Sequence, residues 1–247
     1  MKKLMSGNAA LGEAAVLSGC TCYFGYPITP QNELTEYMAK RMGELGRVFI
    51  QSESEIAAIN MVLGASVAGA RAMTSSSSPG MSLKQEGISY LAADELPAVI
   101  VDMVRGGPGM GNISPAQSDY LQATRGGGHG DYKTIVLAPG SVQELTEVVP
   151  LAFDLADQYR NPVVILGDGM LGQMMEPVSF DNIQPPKEYP KDYTLTGAKG
   201  RPSRMVRSLL FDTKEEEEHN WKLVRKYQRM EQNEVRYEKF LTDDAEM

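Results

Sequence analysis

Cysteine is scarce, with two in 247 residues, too few for a disulfide scaffold or a four-thiolate cluster site. Cys20 and Cys22, one residue apart at the entry to a predicted strand, read as reduced structural thiols. Any iron–sulfur cluster serving this protein then belongs to another chain. Histidine is equally rare, and His129, in GGGHGD, has no nearby histidine or cysteine to share a metal with. It reads either as a structural or interface residue or as a neighbour of an active centre. Positive charge is in deficit: 24 Lys and Arg against 32 Asp and Glu leave a net charge of -8, which argues against a nucleic-acid partner. No run of about 18 apolar residues occurs, so no membrane span is expected. The opening MKKLMSGNAALGEAAVLSGC imitates a secretion signal, but Ser6, Gly7, Asn8, Gly12 and Glu13 interrupt its apolar stretch. A cytoplasmic location follows as the expectation. Nucleotide loops are missing too: RGGPGMGN lacks the GxGxxG spacing that opens a helix, and no GxxxxGK[ST] segment is found.

What is present is alternation. Short apolar segments (TCYFGYP, RVFIQS, ARAMTSSS, AVIVDMV, TIVLAP and PVVILGD) read as strands. Between them, helical patterns cover 7–19, 31–42, 53–69, 83–93 and 142–157, with Pro30 suited to a first turn and Pro79–Gly80 reading as a break. Strand and helix in turn predict an α/β fold, a mostly parallel sheet with helices on both faces. Near Gln184 the texture changes. QPPKEYPKDY reads as a linker or extended arm, and 213–240 as a charged helix loaded with Glu215–Glu218 in its first turns. Trp221, Val224, Tyr227, Gln228 and Met230 suggest a docking stripe on it. The expected division is a domain over 1–183 and a linker with helical extension over 184–247, which runs to Asp243–Asp244–Ala245 without an obvious terminating element.

Parallel sheets bind ligands at the carboxyl ends of their strands. Here those ends carry the unusual segments YFGYPITP, QSESE, TSSSSPG, VRGGPGMGN and LGDGMLGQ. SSSSPG suits an anion cradle or a plain polar loop. Glu53 and Glu55 are either favourable first-turn charges or functional carboxylates; two residues apart, they cannot face the same partner. Arg105 offers a planar fork for a carboxylate, or pairs with a nearby acid. Thr29 offers a hydroxyl or starts a turn. Met103, Met110, Met170, Met174 and Met175 gather near the strand ends, as adaptable packing or an apolar pocket wall.

Taken together, GNAALGEAAVLSGC, YFGYPITPQNE, QSESEIAAINMVLGAS, AMTSSSSPGMSLKQEGISYL, VRGGPGMGNISPAQSDY, GGGHGDYKTIVLAPGSVQE and YRNPVVILGDGMLGQMMEP resemble the alpha-type subunit of 2-oxoacid:ferredoxin oxidoreductases, the branched-chain (2-oxoisovalerate) member in particular. The resemblance spans residues 7–177 and continues more weakly into the charged tail. It implies the pyrimidine-binding thiamine-diphosphate fold. It also implies a cofactor shared with a diphosphate-binding beta-type subunit, Mg2+ and iron–sulfur clusters on partner chains, ferredoxin as electron acceptor, a 2-oxoacid and coenzyme A as substrates, and an oligomeric assembly. Glu53, in QSE, matches the family's cofactor-activating glutamate, with Pro27 and Ile28 also assigned to the cofactor. Thr29 and Arg105 match residues that bind the substrate carboxylate. No metal ligand is implied on this chain. The implied reaction is oxidative decarboxylation to an acyl-CoA. Rival expectations are a pyruvate or 2-oxoglutarate enzyme, or a noncatalytic assembly protein that keeps the fold.

Overall fold

The computed structural model describes residues 2–239, so the end of the predicted last helix at Phe240 and the segment Asp243–Ala245 lie outside the described residues. The chain divides into two compact units, Met1–Ser208 and Leu209–Met247.

The first unit is built on a six-stranded, all-parallel sheet in the order β3-β2-β4-β5-β7-β6. Its strands are β2 (Cys22–Gly25), β3 (Val48–Gln51), β4 (Ala72–Ser76), β5 (Ala98–Val104), β6 (Ile135–Leu137) and β7 (Pro162–Asp168). The central β5 is buried along its whole length, which explains why AVIVDMV is almost continuously apolar: both of its faces are covered. Helices α1 (Gly7–Leu17), α2 (Asn32–Glu44) and α6 (Val142–Tyr159) pack together, as do α3 (Glu55–Val67) and α4 (Pro79–Ala93). Right-handed crossovers put the two groups on opposite faces of the sheet. The expected α/β fold, parallel and covered on both sides, is the one found.

Four details differ from the sequence expectations. Helix α3 starts at Glu55, so Glu53 lies ahead of it. Pro79–Gly80 is not a break but the first turn of α4, where proline's missing N–H costs nothing. The glycine-rich loop contains a short helix, α5 (Tyr120–Arg125), and α7 (Gly169–Gln173) follows β7 directly. Finally, β1 (Lys3–Ser6) and β8 (Met175–Val178) form an antiparallel pair that pattern reading did not anticipate, since neither strand is long enough to show alternation.

Residues 184–208 fall within the first unit, and side chains tie them down. Arg71 donates to the carbonyl of Lys187 at 3.0 Å, Lys191 donates to that of Gly69 at 2.7 Å, and the Arg160 guanidinium lies 4.4 Å from the centre of the Tyr193 ring. The second unit carries α8 (Thr213–Asn233), whose first turn is capped by Asp212 accepting from the Lys214 and Glu215 amides. Its buried residues are Leu223, Lys226, Tyr227 and Met230, whereas Trp221 and Val224 of the predicted stripe are exposed. Spacing of three, four and seven selects the first set; Trp221 belongs to a neighbouring face. Among the described residues no helix is long and apolar enough to cross a membrane.

Candidate active site

The carboxyl ends of β2, β3, β4 and β5 stand side by side in the sheet, and each carries a distinctive turn. After β2, the chain passes through exposed Pro27 and half-buried Ile28 and Thr29 into a cis Thr29–Pro30 peptide. After β3, Ser52 ties its hydroxyl and its amide to the carbonyl of Gly25, at 3.1 and 2.8 Å, locking the two strand ends together. Ser54 then caps α3 by accepting from the amide of Ala57 at 3.2 Å. That cap decides the fate of the two glutamates. Glu53 is left exposed, while Glu55 becomes the first residue of the helix and is 6% exposed.

Glu55 lies against the start of α4. A Cβ placed on Gly80 would stand 2.7 Å from Glu55 Oε1 and would also overlap the Ser76 hydroxyl, so only glycine leaves room for this carboxylate. Among the described residues no hydrogen bond or ion pair is made to the Glu55 carboxylate. Ser76 beside it, and Ser77 next in sequence, are buried with hydroxyls that have no partner. Orphaned buried polar groups of this kind ask for a ligand that can bond them.

Arg105 and Thr29 are brought together. Arg105 Nη1 donates to the carbonyl of Thr29 at 3.1 Å, and Nη2 to that of Met110 at 3.0 Å. The side chain is 7% exposed and its Nε is buried without a partner. Two of the five guanidinium N–H groups are thus used, and the remainder suit a carboxylate. The Arg105 backbone is fixed by Ser78, whose hydroxyl accepts from its amide at 3.0 Å and donates to Asp119 Oδ2 at 2.5 Å. Ser78 has φ of 26°, a strained value for a residue with a side chain, held there by its own amide donating to Asp102 Oδ1 at 3.1 Å. Burial and the neighbouring Asp119 raise the Asp102 carboxyl well above the usual carboxylate range.

Sequence reading passed over Ser78, Asp102 and Lys84. One signal was available: an acid inside AVIVDMV and a lysine inside a buried stretch of α4 are polar residues at core positions. His129 lies exposed in the loop that follows α5. Among the described residues no group of three or more His, Cys, Asp or Glu is placed to hold a metal. Beyond the bridge between Arg105 and Pro115 lies a cleft of about 520 Å³, walled by Val104, Tyr120, Asp168, Met170, Leu171 and Met174.

A family model described as "Pyruvate flavodoxin/ferredoxin oxidoreductase, thiamine diP-bdg" matches residues 13–240. The chain belongs to this family. Its first unit therefore carries the family's thiamine-diphosphate-binding fold, on the pyrimidine side. The chain is 52% identical over 245 residues to "Ketoisovalerate oxidoreductase subunit VorB" of Methanothermobacter thermautotrophicus, a match covering 99% of this chain and 70% of that subunit. It is 44% identical over 183 residues to "2-oxoglutarate synthase subunit KorA" of Methanocaldococcus jannaschii, covering 74% of this chain and 50% of that one. Among solved structures it resembles a 2-oxoglutarate:ferredoxin oxidoreductase from Magnetococcus marinus, solved with 2-oxoglutarate, coenzyme A and succinyl-CoA bound, with a TM-score of 0.82 and 30% identity. That match covers 96% of this chain but 46% of the other, so the chain spans about half the length of the solved one. The site's residues fit the family's cofactor. A carboxylate free of protein hydrogen bonds and two buried, unpartnered hydroxyls are groups an aminopyrimidine edge can bond.

Proposed function

We propose that this chain is the pyrimidine-side subunit of a ferredoxin-linked enzyme that converts a branched-chain 2-oxoacid and coenzyme A to the acyl-CoA and carbon dioxide. Glu55 acts as its cofactor-activating carboxylate, in place of the Glu53 that the motif match pointed to. The observation that carries this reading is the buried Glu55 carboxylate over Gly80, on the same α4 turn that holds Arg105 against Thr29. Exposed Glu53, outside the helix, lacks such a setting.

Thiamine diphosphate, when bound, supplies the nucleophile and electron store that decarboxylation of a 2-oxoacid requires. The protein groups have simpler tasks. Glu55 holds or moves a proton at a ring nitrogen, where its burial makes the hydrogen bond strong. The Arg105 fork and the Thr29 hydroxyl bind the substrate carboxylate and fix its approach. Pro27 and Ile28 line the cofactor side of the same loop. Two electrons leave one at a time to ferredoxin, so the reaction needs iron–sulfur carriers, which we assign to partner chains together with Mg2+ and the diphosphate site. Cys20 and Cys22 are free thiols, and we assign the chain to the cytoplasm.

The branched-chain preference rests on the ketoisovalerate relatives and on the cleft next to Arg105. Its wall is mostly apolar, with Met170 and Met174, and among the described residues it carries Asp168 but no cation. A second carboxylate, as in 2-oxoglutarate, would find no counter-charge there.

The test is ferredoxin reduction dependent on 2-oxoisovalerate and coenzyme A, in a complex assembled with the diphosphate-binding and iron–sulfur chains. Glu55→Gln is expected to leave the complex intact and to slow it by about 10²-fold or more, the range of a lost acid–base group. Glu53→Gln is expected to turn over like the parent. The reverse pattern would return the role to Glu53. An inactive but fully loaded parent complex would sink the activity, and a preference for 2-oxoglutarate or pyruvate would sink the substrate class.

A further inference from the structure

Lys84 stands in the middle of α4 and is completely buried. Lysine is almost never fully buried, because taking an ammonium out of water costs several kcal/mol, roughly, even after relaxation. A leucine or methionine would fill the same volume between α4 and the sheet without that cost. The charge therefore needs an explanation other than packing.

Its surroundings supply one. Lys84 Nζ donates to Thr74 Oγ1 at 2.6 Å and to the carbonyl of Ser75 at 3.4 Å, both at the end of β4. The ionisable groups facing it are Glu55, from α3, and Asp102, from β5, the latter coupled to Asp119. One turn before Lys84 on the same face of α4 stands Gly80, whose Cβ position lies 2.7 Å from Glu55 Oε1, so the face that carries the ammonium also borders the carboxylate. Burial pulls the Lys84 amine down to about 7 from its ordinary 10.5, with Glu55 and then Asp102 working against that pull.

The same strand end leads on to the substrate loop. The Ser75 hydroxyl bonds the carbonyl oxygen of the buried Gln31 side chain at 2.5 Å and lies 2.5 Å from the Tyr23 hydroxyl. Gln31 in turn donates from its side chain to the carbonyl of Tyr26 at 3.3 Å and from its amide to that of Ile28 at 3.1 Å. One buried lysine thus bonds the stretch of β4 that reaches the network under Tyr26–Thr29 through Ser75 and borders the Glu55 carboxylate at Ser76.

We propose that Lys84 is a positioning residue for Glu55, its buried ammonium serving as the counter-charge that keeps the carboxylate aimed across the Ser76–Gly80 turn. The proposal rests on the reading of Glu55 given above. Lys84 touches neither substrate nor cofactor and acts through Glu55 alone. Because the ammonium is lost as pH rises through its titration, activity should fall on the alkaline side of that point.

Two measurements test it. In the assembled complex, Lys84→Met should lower kcat by about 10- to 100-fold, the usual effect of removing a group that orients a first-line ligand, with the KM for the 2-oxoacid unchanged. It should also erase the alkaline limb that the parent shows. A variant with parental kcat, or one that is slow yet keeps the limb, overturns the proposal. The second measurement does not need K84M to fold. With lysines of the full chain isotopically labelled at Cε, the Lys84 titration is followed by NMR in the parent and in E55Q. Losing the anion disfavours the ammonium, so the titration should move to lower pH by about one unit. An unmoved titration overturns the proposal even if the complex is active. A shifted titration in a fully loaded but inactive parent complex would support the coupling and sink the activity instead.

Discussion

Replacing Gly80 by alanine separates the stability of this fold from its chemistry. Gly80 is the second residue of α4 and its φ is not in the left-handed region, so the backbone accepts alanine. Helix propensity then favours the variant by at most about 1 kcal/mol. Against that stands overlap, since the new methyl lies 2.7 Å from Glu55 Oε1, 2.9 Å from Glu55 Cγ and closer still to the Ser76 hydroxyl. Overpacking of this kind costs about 1–3 kcal/mol, so the net loss should fall between roughly 0 and 3 kcal/mol. The Ser76 hydroxyl can turn about its χ1, but the Glu55 side chain is overlapped at two atoms and must move as well. A displacement near 1 Å costs about 10²-fold in rate when the group has to meet a reacting atom. Urea unfolding of the chain and turnover of the complex would be measured side by side. Gly87→Ala is the control. Its methyl would meet only atoms of Ile59, at 2.5 to 3.1 Å, two turns further along the seam between α3 and α4. It should cost stability and spare the rate of whatever folds. If G80A turns over at the parental rate, Glu55 is not the group that matters.

Two further substitutions probe the scaffold. Arg71→Met should destabilise the chain by about 3–5 kcal/mol, because it strands Asp157, which is buried and bonded to Arg71 Nε at 2.7 Å. Lys191 makes only a long ion pair with the same carboxylate, at 3.8 Å, and its hydrogen bond goes to the Gly69 carbonyl, so it replaces little of the lost bond; a shift in urea midpoint worth less than about 1 kcal/mol would refute the argument. Gly64→Ala lies within α3 with open space around the new methyl and should raise stability by about 0.5–1 kcal/mol, read from the same unfolding curves. No change, or a loss, would mean that α3 is strained in a way its contacts do not reveal.

Strands and helices were legible because their signals are local. β5 announces itself by an apolar run, and α6 by its periodicity and its Ser141 cap. The β1–β8 pair was not, since it joins residues some 170 positions apart through two four-residue segments. The choice of which glutamate is buried shows a finer limit. QSESE offers two serines, two residues apart, and either is a sound helix cap. A cap at Ser52 would put Glu53 in the first helical position; a cap at Ser54 puts Glu55 there. The choice is made by the Ser52 hydroxyl, which is already engaged with the carbonyl of Gly25 across the sheet. That bond joins residues 27 positions apart, and no pattern within QSESE contains it. For Thr29 and Arg105 no equivalent neighbour competes, and the structure brings the two together through the Arg105 bond to the Thr29 carbonyl.

The sequence of β4 shows how the site is held. A central, fully buried strand is normally apolar, yet here Thr74, Ser75, Ser76 and Ser77 follow one another with no exposure. Each small hydroxyl admits something that a valine would exclude. Thr74 receives the Lys84 ammonium, and Ser75 receives Gln31 and Tyr23. Ser76 stands beside the Glu55 carboxylate, and the next turn residue, Ser78, carries the backbone of Arg105. Four of the five successive residues 74–78 thus reach, in order, the Lys84 ammonium, the Gln31 and Tyr23 side chains, the Glu55 carboxylate and the Arg105 backbone. Buried hydroxyls left without partners cost about 1–3 kcal/mol each, so the strand would be a poor choice as mere scaffold. Ser76 and Ser77 are the two whose hydroxyls lack partners, and they lie at the end of the run nearest Glu55. The deficit falls where a bound ring would satisfy it, which ties the strand's composition to the site rather than to the fold.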